Sequence, residues 1–403
     1  MKPIAIIIPW YGDNIRGGAE QEANYLAHAI LEAGAPVEVF TTCVKDAASD
    51  RGKNTIEPGV YEESGITVRR FPVKSQNLNA FAIPNYKLYC GEDVTLDEER
   101  IYFSEDINSP MMYKFISENR KNYKAFVFLP YLYGVTYYGT KRCRGKCILV
   151  PCFHDEGYAH MELLKRMVEG VNGIIYLSGP EKEFADKTYN ISKIPAMVLG
   201  AGVDDGWEDN TDPDDFRNKF GINSPFLLYA GRKDPGKKAD ELIQFFIRFK
   251  QENRKSDLKL VLIGGGKLPV PVPDDLKNDV IDLGFVSIED KHNAFAAASV
   301  FCNPSRFESF SIVIMESWLV RKPVMVSSFC PVTKNFCVET NGGFHYGCYE
   351  EFKRYLDFLI NSPEIADQMG QNGYEYVKNN FSKKTIAEKY IAFIDQCIVD
   401  EDE

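Results

Sequence analysis

The sequence predicts an α/β protein built from two doubly wound, Rossmann-like domains. Its 403 residues exceed the length of one average domain and suit two of about 200 residues each. Short apolar runs alternate with helical patterns in two successive series, separated at residues 200–225 by a segment rich in Asp, Gly and Pro. We therefore place an N-terminal domain at 1–200 and a C-terminal domain at 201–383, and expect a last helix at 384–403 to pack back on the first domain.

The N-terminal series begins with a continuous apolar run at residues 3–9, which is typical of a parallel strand covered on both faces. A loop with Gly17 and Gly18 follows, then a helical pattern from 19 to 33 and a second strand at 37–41. This order predicts a βαβ unit with a glycine-rich first turn. Further strands are predicted at 67–71, 125–129, 147–150, 173–177 and 196–199.

The region from 75 to 120 lacks a clean periodicity, and we predict helices there. Residues 200–225 are interpreted as the interdomain linker, after which the alternation of strands and helices resumes. The second series has predicted strands at 226–230, 258–263, 280–283, 300–303 and 323–327, and predicted helices at 239–249 and 311–319.

The composition narrows the classes of partner. A net charge of −11 argues against a general nucleic-acid binder, because binding to phosphates needs clustered cations. No stretch approaches the roughly 20 apolar residues of a membrane span. The apolar run at the start is too short for a signal peptide. We therefore expect a cytoplasmic protein whose ten cysteines are free thiols.

Two patterns raise the question of a metal. Three thiols and an imidazole are closely spaced, but their spacing fits no zinc module well, and a buried strand with adjacent thiols is the favoured interpretation. These residues are Cys143, Cys147, Cys152 and His154. Asp212-Pro213-Asp214 matches an Asp-x-Asp metal motif, yet it lies in the predicted linker and has the composition of a turn. We expect no metal at either place.

A basic loop follows the strand at 226–230. Arg232 and Lys237 lie just beyond the carboxyl end of this strand, where open α/β sheets bind their ligands. A guanidinium and an ammonium at such a place suit a diphosphate, one as a planar fork and the other as a point charge. An ordinary exposed basic loop explains these two residues equally well. Lys238 is an alternative phosphate contact.

An acidic pair brackets the start of the helix predicted at 311–319. We predict that Ser309 to Ser311 begin this helix, so that its free amides and positive dipole end can hold an anion. Glu308 precedes the helix, and Glu316 lies about two turns inside it. An unremarkable acidic helix explains Glu308 easily. It explains Glu316 less well, because a carboxylate among apolar neighbours needs a hydrogen-bonded partner.

These motifs together resemble glycosyltransferase family 4, a family of retaining, metal-independent enzymes with the GT-B fold. The resemblance rests on the Glu-x7-Glu pair, the Gly-Arg-x4-Lys loop, the turn Gly17-Gly18-Ala19-Glu20 and the strand with glycines at 261–266. It covers nearly the whole chain, including Phe381-Ser382 before the last helix. Each motif alone is weak, and the order and spacing of all four make the resemblance specific.

The resemblance implies a role for individual residues. Arg232 and Lys237 would neutralise the donor diphosphate, Glu308 would contact hydroxyls of the transferred sugar, and Glu316 the ribose. His154, after the strand at 147–150, would face the donor sugar, although a lone histidine is often structural. Residues implied in donor binding through their backbone or the nucleotide base are Gly17, Gly18, Gly231, Phe285, Val286, Ser309, Phe310 and Ser311.

The implied reaction is front-face substitution with retained anomeric configuration, from a UDP-sugar or, less commonly in the family, a GDP-sugar. The resemblance implies no cofactor, and a saccharide or lipid-linked acceptor in polysaccharide or glycoconjugate synthesis. Two other functions stay open: a nucleotide-sugar epimerase or phosphorylase, and a non-catalytic nucleotide-sugar-binding subunit. Retention of the named site residues favours transfer.

The sequence defines the residues that would bind the acceptor less well than those that would bind the donor. Aromatic runs at 10–11, 131–133 and 137–138 are candidates for stacking on saccharides, and core packing is an equal alternative. A small basic patch could bring the protein weakly to an anionic membrane, at the inner face of the cell membrane, or could be a solvated loop. The patch consists of Lys141, Arg142, Arg144 and Lys146.

Overall fold

The computed structural model describes residues 1–12 and 17–398, and its chain divides into two compact units. Unit 1 comprises Met1–Gly202 and Lys383–Glu403, and unit 2 comprises Val203–Ser382. The chain therefore passes from one unit to the other twice. Its last described helix, Lys383–Cys397, belongs to unit 1. Residues 399–403 of the helix predicted at 384–403 lie outside the described residues.

Unit 1 contains an eight-stranded sheet. Its strands are β1 (Ile4–Ile7), β2 (Val37–Thr42), β3 (Gly59–Glu63), β4 (Ile66–Phe71), β5 (Ala125–Phe128), β6 (Cys147–Leu149), β7 (Gly173–Tyr176) and β8 (Ala196–Val198). The spatial order is β3-β4-β2-β1-β5-β6-β7-β8, and β3 is the antiparallel member, paired with β4. The central β1 is buried along its whole length, as its apolar run predicts.

The helices of unit 1 that come before the chain first passes to unit 2 lie between these strands along the sequence. They are α1 (Gly18–Glu32), α2 (Leu78–Cys90), α3 (Leu96–Glu105), α4 (Pro110–Asn119), α5 (Gly134–Thr140), α6 (Glu162–Val168) and α7 (Gly179–Thr188). The region 75–120, where periodicity was weak, holds three helices that begin at side-chain caps. Asn77, Thr95 and Ser109 each accept a hydrogen bond from an amide in the first turn, which satisfies one of the unpaired N–H groups there.

Unit 2 contains a six-stranded sheet in which all neighbouring strands are parallel. The strands are β9 (Phe226–Ala230), β10 (Lys259–Ile263), β11 (Val280–Gly284), β12 (Val300–Asn303), β13 (Val324–Ser327) and β14 (Gly343–Tyr346). The order is β11-β10-β9-β12-β13-β14. The two middle strands β9 and β12 come from separate parts of the sequence, so the chain changes direction across the sheet between them. Open α/β sheets bind ligands at such a switch point.

The helices of unit 2 include one inside the predicted linker. They are α8 (Pro213–Phe220), α9 (Ala239–Glu252), α10 (Ile288–Ala297), α11 (Ile312–Leu319), α12 (Pro331–Thr340), α13 (Tyr349–Asn361) and α14 (Pro363–Asn380). The interpretation of 200–225 as a linker was therefore wrong at Pro213–Phe220, which form a helix of unit 2. Asp212 caps α8 by accepting hydrogen bonds from the amides of Asp214 and Asp215 at 3.0 and 2.9 Å.

The last helix, α15 (Lys383–Cys397), packs on α1 of unit 1. Its Tyr390 is fully buried and donates a hydrogen bond to Oε1 of Glu22 at 3.3 Å. Lys383 at its start pairs with Glu32 at 3.0 Å. No helix in the described ranges has the length and apolar character needed to cross a bilayer.

Candidate functional site

An ion pair joins the ends of the two middle strands of unit 2. Nζ of Lys237, in the loop after β9, lies 2.8 Å from Oε1 of Glu308, in the loop after β12. Because β9 and β12 are parallel neighbours, their carboxyl ends lie at the same edge of the sheet. Both side chains are partly shielded from solvent, Glu308 more than Lys237. The structure therefore brings together one cation and one anion that the sequence had placed in the site.

Asn303, the last residue of β12, fixes the loop that carries Glu308. Its amide nitrogen Nδ2 donates to Oε1 of Glu308 at 3.3 Å and to Oγ of Ser311 at 2.8 Å. Its Oδ1 accepts from the amide of Ser305 at 3.1 Å. Sequence reasoning missed this residue. A polar side chain at the end of an otherwise apolar strand was the signal that could have revealed it.

Arg232 lies in the same loop as Lys237, and its side chain is largely open to solvent. Its side chain is 73% exposed, and its Nε lies 3.4 Å from Oδ2 of Asp234. Asp234 also accepts a hydrogen bond from the backbone amide of Lys237 at 3.1 Å, so this carboxylate contacts both residues of the loop. The side chain that turns inward is Lys233, whose Nζ donates to the carbonyl of Gly264 at 2.5 Å and pairs with Asp282 at 3.1 Å. Its role is to hold the loop.

The segment Ser309 to Ser311 precedes α11 and forms none of its turns, which corrects the predicted helix start. Ser311 has a φ of 80°, a left-handed conformation that a non-glycine residue rarely adopts, and the helix begins at Ile312. The hydrogen bond from Asn303 to the Ser311 hydroxyl holds this conformation. Phe310 is buried against Phe336 and Phe381. The free amides at the start of α11 remain suited to an anion.

Glu316 lies within α11 and is 8% exposed. Lys291 of α10 donates to its Oε1 at 2.6 Å. The second oxygen, Oε2, is buried and has no hydrogen-bond partner among the described residues. A buried carboxylate oxygen without a donor is costly, so a hydroxyl supplied by a ligand would be stabilised there. The helix starts later than predicted, so Glu316 lies closer to its N-terminus than two turns.

Phe285 and Val286 follow β11 at the same edge of the sheet. Phe285 is 60% exposed, and its ring lies over Gly265, where a Cβ would be 2.5 Å from ring atom Cζ. Gly264 has a φ of 116° and lies against the carbonyl of Gly231, where a side chain would clash. Gly264 thus lets the Gly231 loop, and Gly265 the Phe285 ring, lie close against the backbone that follows β10.

His154 lies in unit 1, after β6. Its Nδ1 is 3.5 Å from Oε1 of Glu156, which accepts a hydrogen bond from the hydroxyl of Tyr131 at 2.8 Å. Burial raises the pKa of Tyr131 well above its usual value, so this hydroxyl stays a donor. Glu181 accepts the amides of Phe153 at 2.7 Å and Leu177 at 2.6 Å, and so ties the His154 loop to the end of β7. Sequence reasoning missed both carboxylates.

Gly17 and Gly18 are exposed at the N-terminus of α1, also in unit 1. Gly17 has a φ of 143°, and a side chain there would collide with the carboxylate of Glu20. That carboxylate accepts a hydrogen bond from the indole of Trp10. A Cβ on Gly18 would meet no atom within 4 Å. Open space therefore lies beside Gly18, whereas the Glu20 carboxylate fills the space beside Gly17.

Other predicted features have ordinary structural roles. Cys143, Cys147 and Cys152 are buried free thiols, and the described ranges contain no group of three or more side chains suited to a metal ion. The aromatic rings of Trp10, Tyr131 and Tyr137 lie in the core of unit 1 and are not open to a saccharide. Lys146 is buried, and its ammonium donates to the carbonyl of Tyr123, so it does not belong to the exposed basic patch.

Comparison with known proteins assigns a family model to unit 2. Residues 211–376 match the model of group 1 glycosyl transferases. An uncharacterized glycosyltransferase of Methanocaldococcus jannaschii is 25% identical over 231 residues, which cover 54% of this chain and 56% of that protein. The chain spans about half the length, or less, of the curated relatives it matches.

Solved structures resemble the chain over nearly its whole length. Sucrose-phosphate synthase from Thermosynechococcus elongatus aligns with a TM-score of 0.71 at 17% identity, covering 98% of this chain and 99% of that one. The Anabaena protein HepE, solved with UDP and glucose, aligns with a TM-score of 0.69 at 15% identity, covering 98% and 100%. At such identities the likeness establishes the fold, which is the GT-B fold of two Rossmann-like domains.

Proposed function

We propose that this chain is a retaining glycosyltransferase that moves a sugar from a nucleoside diphosphate donor to a saccharide or lipid-linked acceptor. The observation that carries the proposal is the Lys237–Glu308 pair at the carboxyl ends of β9 and β12, within the segment that matches group 1 glycosyl transferases. An ammonium suited to a diphosphate and a carboxylate suited to sugar hydroxyls lie 2.8 Å apart. In a sugar nucleotide the diphosphate is bonded directly to the sugar, so one donor molecule offers an anion to Lys237 and hydroxyls to Glu308.

Lys237 acts on the leaving group. When the bond between the sugar and the diphosphate breaks, negative charge grows on the diphosphate, and groups already aimed at it lower the barrier. One proton of the Lys237 ammonium is held by Glu308, and the others can point to the phosphate oxygens. Arg232 is exposed and paired at 3.4 Å, so it can turn to the same anion as a planar fork. The amides at the start of α11 complete the cradle.

The nucleoside half of the donor would bind along α11 and β11. The unpaired Oε2 of Glu316 would accept a ribose hydroxyl, while Phe285 and Val286 would contact the base. We propose UDP ahead of GDP. Support for a sugar nucleotide comes from HepE, a neighbour in fold that was solved with UDP and glucose.

Neither a metal nor another cofactor is needed in this proposal. Side-chain cations and helix amides supply the positive charge that a divalent ion provides in other transferases. Unit 1 would bind the acceptor, with His154 and the Gly17–Gly18 turn on the side of the donor sugar. The proposed setting is cytoplasmic polysaccharide or glycoconjugate synthesis, at the inner face of the membrane where the acceptor is lipid-linked.

The test is a panel of UDP- and GDP-sugars assayed for donor hydrolysis and transfer. Lys237→Ala and Glu308→Gln should lower kcat by about 100-fold or more, because each removes a group that acts on the charged transition state. The matched controls Lys334→Ala and Glu289→Gln change exposed residues of unit 2 outside the site and should keep wild-type rates. No turnover of any donor by the wild type would sink the proposal and leave a binding subunit as the alternative.

The stereochemical and metal proposals are tested on the same reaction. NMR of the first product should show the anomeric configuration of the donor, and EDTA should leave the rate unchanged. Inverted product would refute retention, and loss of rate that Mg²⁺ restores would refute metal independence. Conversion of the donor into its epimer without transfer would identify an epimerase instead.

A further inference from the structure

Unit 1 contains a cavity of about 220 Å³ whose lining is strongly basic. We call it the basic cavity. It is lined by Ser117, Arg120, Lys141, Arg142 and Arg144. Four cations gather here in a chain with a net charge of −11, whereas arginines such as Arg51, Arg69 and Arg306 pair with carboxylates. None of these four side chains pairs with a carboxylate of the described residues.

Like charges lie close together in the basic cavity. Burial lowers the pKa of Lys141, and the positive charge of Arg142 lowers it further. The Lys141 ammonium lies 3.5 Å from the centre of the Tyr137 ring, so a ring face and no anion faces it. A bound anion would relieve the repulsion among these cations. Arginine guanidiniums would also hold phosphate oxygens in two-pronged hydrogen bonds.

A second cavity of about 370 Å³ adjoins the basic cavity and shares Ser117 and Arg142 with it. Pro110 and Tyr113 form an apolar part of its wall. The one carboxylate in its lining, Glu118, is paired with Lys114 at 3.8 Å. A ligand that fills both cavities would carry a phosphoryl group at one end and an uncharged organic part at the other.

The basic cavity lies apart from the predicted catalytic residues of unit 1. Arg120 and Arg144 come shortly before the parallel strands β5 and β6, at their amino ends. His154 follows β6, at its carboxyl end, and Gly17 follows β1 at that same edge. The cavity and the predicted acceptor side of unit 1 therefore lie at opposite edges of one sheet. The cavity is separate from the site already described.

We propose that the basic cavity is a binding site for a phosphoryl group on a small organic molecule, either a soluble phosphate ester or a phospholipid headgroup. Arg120, Arg142 and Arg144 bind the phosphate oxygens, and the cavity beside Tyr113 takes the organic part. This site is independent of the proposed glycosyl transfer and stands if that proposal fails. Its binding weakens as salt is added, because the contacts are ionic and partly exposed.

The experiment compares two variants of the full chain that each lose two cations. Arg142→Ala/Arg144→Ala removes cations of the basic cavity, and Arg254→Ala/Lys255→Ala removes two exposed cations of unit 2. All four residues are exposed, so both variants should fold, which circular dichroism checks. The probes are sn-glycerol 3-phosphate, measured by calorimetry, and phosphatidylcholine vesicles with about 30 mol% phosphatidylglycerol, measured by sedimentation.

Wild type and the unit 2 variant should bind at least one probe, and the cavity variant should bind it at least about tenfold more weakly. An effect on the soluble ester alone identifies a soluble ligand, and an effect on vesicles alone identifies a headgroup. The proposal is overturned if wild type binds neither probe or if both variants lose binding equally. Ester binding that persists in the cavity variant and is lost in Arg232→Ala/Lys237→Ala also overturns it, since the phosphate then occupies the unit 2 site.

Discussion

Oε2 of Glu22 on α1 accepts a hydrogen bond at 2.9 Å from the amide of Gly202, the last residue of unit 1 before the first crossing. Its other oxygen meets the hydroxyl of Tyr390 on α15, the helix that follows the second crossing. One buried carboxyl thus ties together the two places where the chain leaves and re-enters unit 1. Burial raises the pKa of Glu22 from 4.5 to about 8, although the two hydrogen bonds lower it.

This pKa makes the stability of unit 1 depend on pH. The folded chain keeps the Glu22 proton up to about pH 8, whereas the unfolded chain releases it above 4.5, so raising the pH between these values favours unfolding. In that window the free energy of unfolding should fall by about 1.4 kcal/mol per pH unit for this one group. Glu22→Gln keeps an acceptor for Gly202 and has no proton to lose, so its slope should be shallower by that amount.

Urea unfolding curves at several pH values between 5.5 and 7.5 measure these slopes. Glu364→Gln, which changes an exposed residue at the start of α14, is the matched control and should keep the wild-type slope. Glu181 is also buried with a pKa raised to about 8, so a slope remains in Glu22→Gln. An unchanged slope in Glu22→Gln would contradict the assignment of this proton to Glu22.

Glu316→Gln should weaken the binding of UDP. The change preserves the size of the side chain and removes the charge that Lys291 neutralises and that a ribose hydroxyl would contact. A hydrogen bond to a charged group contributes about 1.5–3 kcal/mol, so we expect a dissociation constant at least about tenfold higher by calorimetry. Glu289→Gln, on the exposed side of α10, should bind UDP as the wild type does. Equal affinity in both variants would remove Glu316 from the site.

Asn303 should act as a positioning residue. Asn303→Asp keeps the oxygen that accepts the amide of Ser305 and loses the N–H donors to Glu308 and Ser311. We expect kcat to fall by about tenfold or more while the affinity for UDP changes by less than about threefold, because the ribose and base contacts remain. Calorimetry with UDP and initial rates separate the two effects. A parallel loss of UDP binding would indicate that the loop has collapsed and that Asn303 has only a structural role.

Gly202→Ala should destabilise unit 1 through one specific clash. A Cβ at Gly202 would overlap the ring of Tyr25, which is buried in α1. Overpacking of this kind costs about 1–3 kcal/mol. The double variant Gly202→Ala/Tyr25→Ala should cost less than the sum of the two single changes, because the clash is absent there. Gly179→Ala, whose Cβ would meet nothing within 4 Å, is the control; additive costs in the double variant would refute the clash.

The fold was largely predictable because buried parallel strands are continuous apolar runs. The strands from β1 to β13 that have this character were found to within a few residues of their ends, and two Rossmann-like domains followed from their order. β3 was missed because its sequence, Gly59–Glu63, is polar and lies at the edge of the sheet. The helix α8 was missed because its Asp and Pro residues, which cap and start a helix, also occur in turns.

Residues of the candidate site could be predicted only where they follow a strand and also match a motif of the family that the sequence resembles. Lys237 and Glu308 could be named from the sequence, but their 2.8 Å contact depends on the pairing of β9 with β12, which no local pattern reveals. The left-handed conformation of Ser311 depends on a hydrogen bond from Asn303, across the loop between them. The exposure of the Arg232 side chain and its contact with Asp234 were likewise not visible in the sequence. Such tertiary contacts are outside the reach of periodicity and spacing.

The return of α15 to unit 1 has a consequence for synthesis on the ribosome. Unit 2 is translated between the two parts of unit 1. Until α15 has been synthesised, the surfaces of α1 and β7 that it covers therefore stay open to solvent. The ring of Phe393 and the thiol of Cys397 reach Gly173 at the start of β7 only after the whole of unit 2 has left the exit tunnel. Unit 2, which is contiguous in sequence, can close first. Unit 1 is therefore the first unit to begin synthesis and the last to complete its fold.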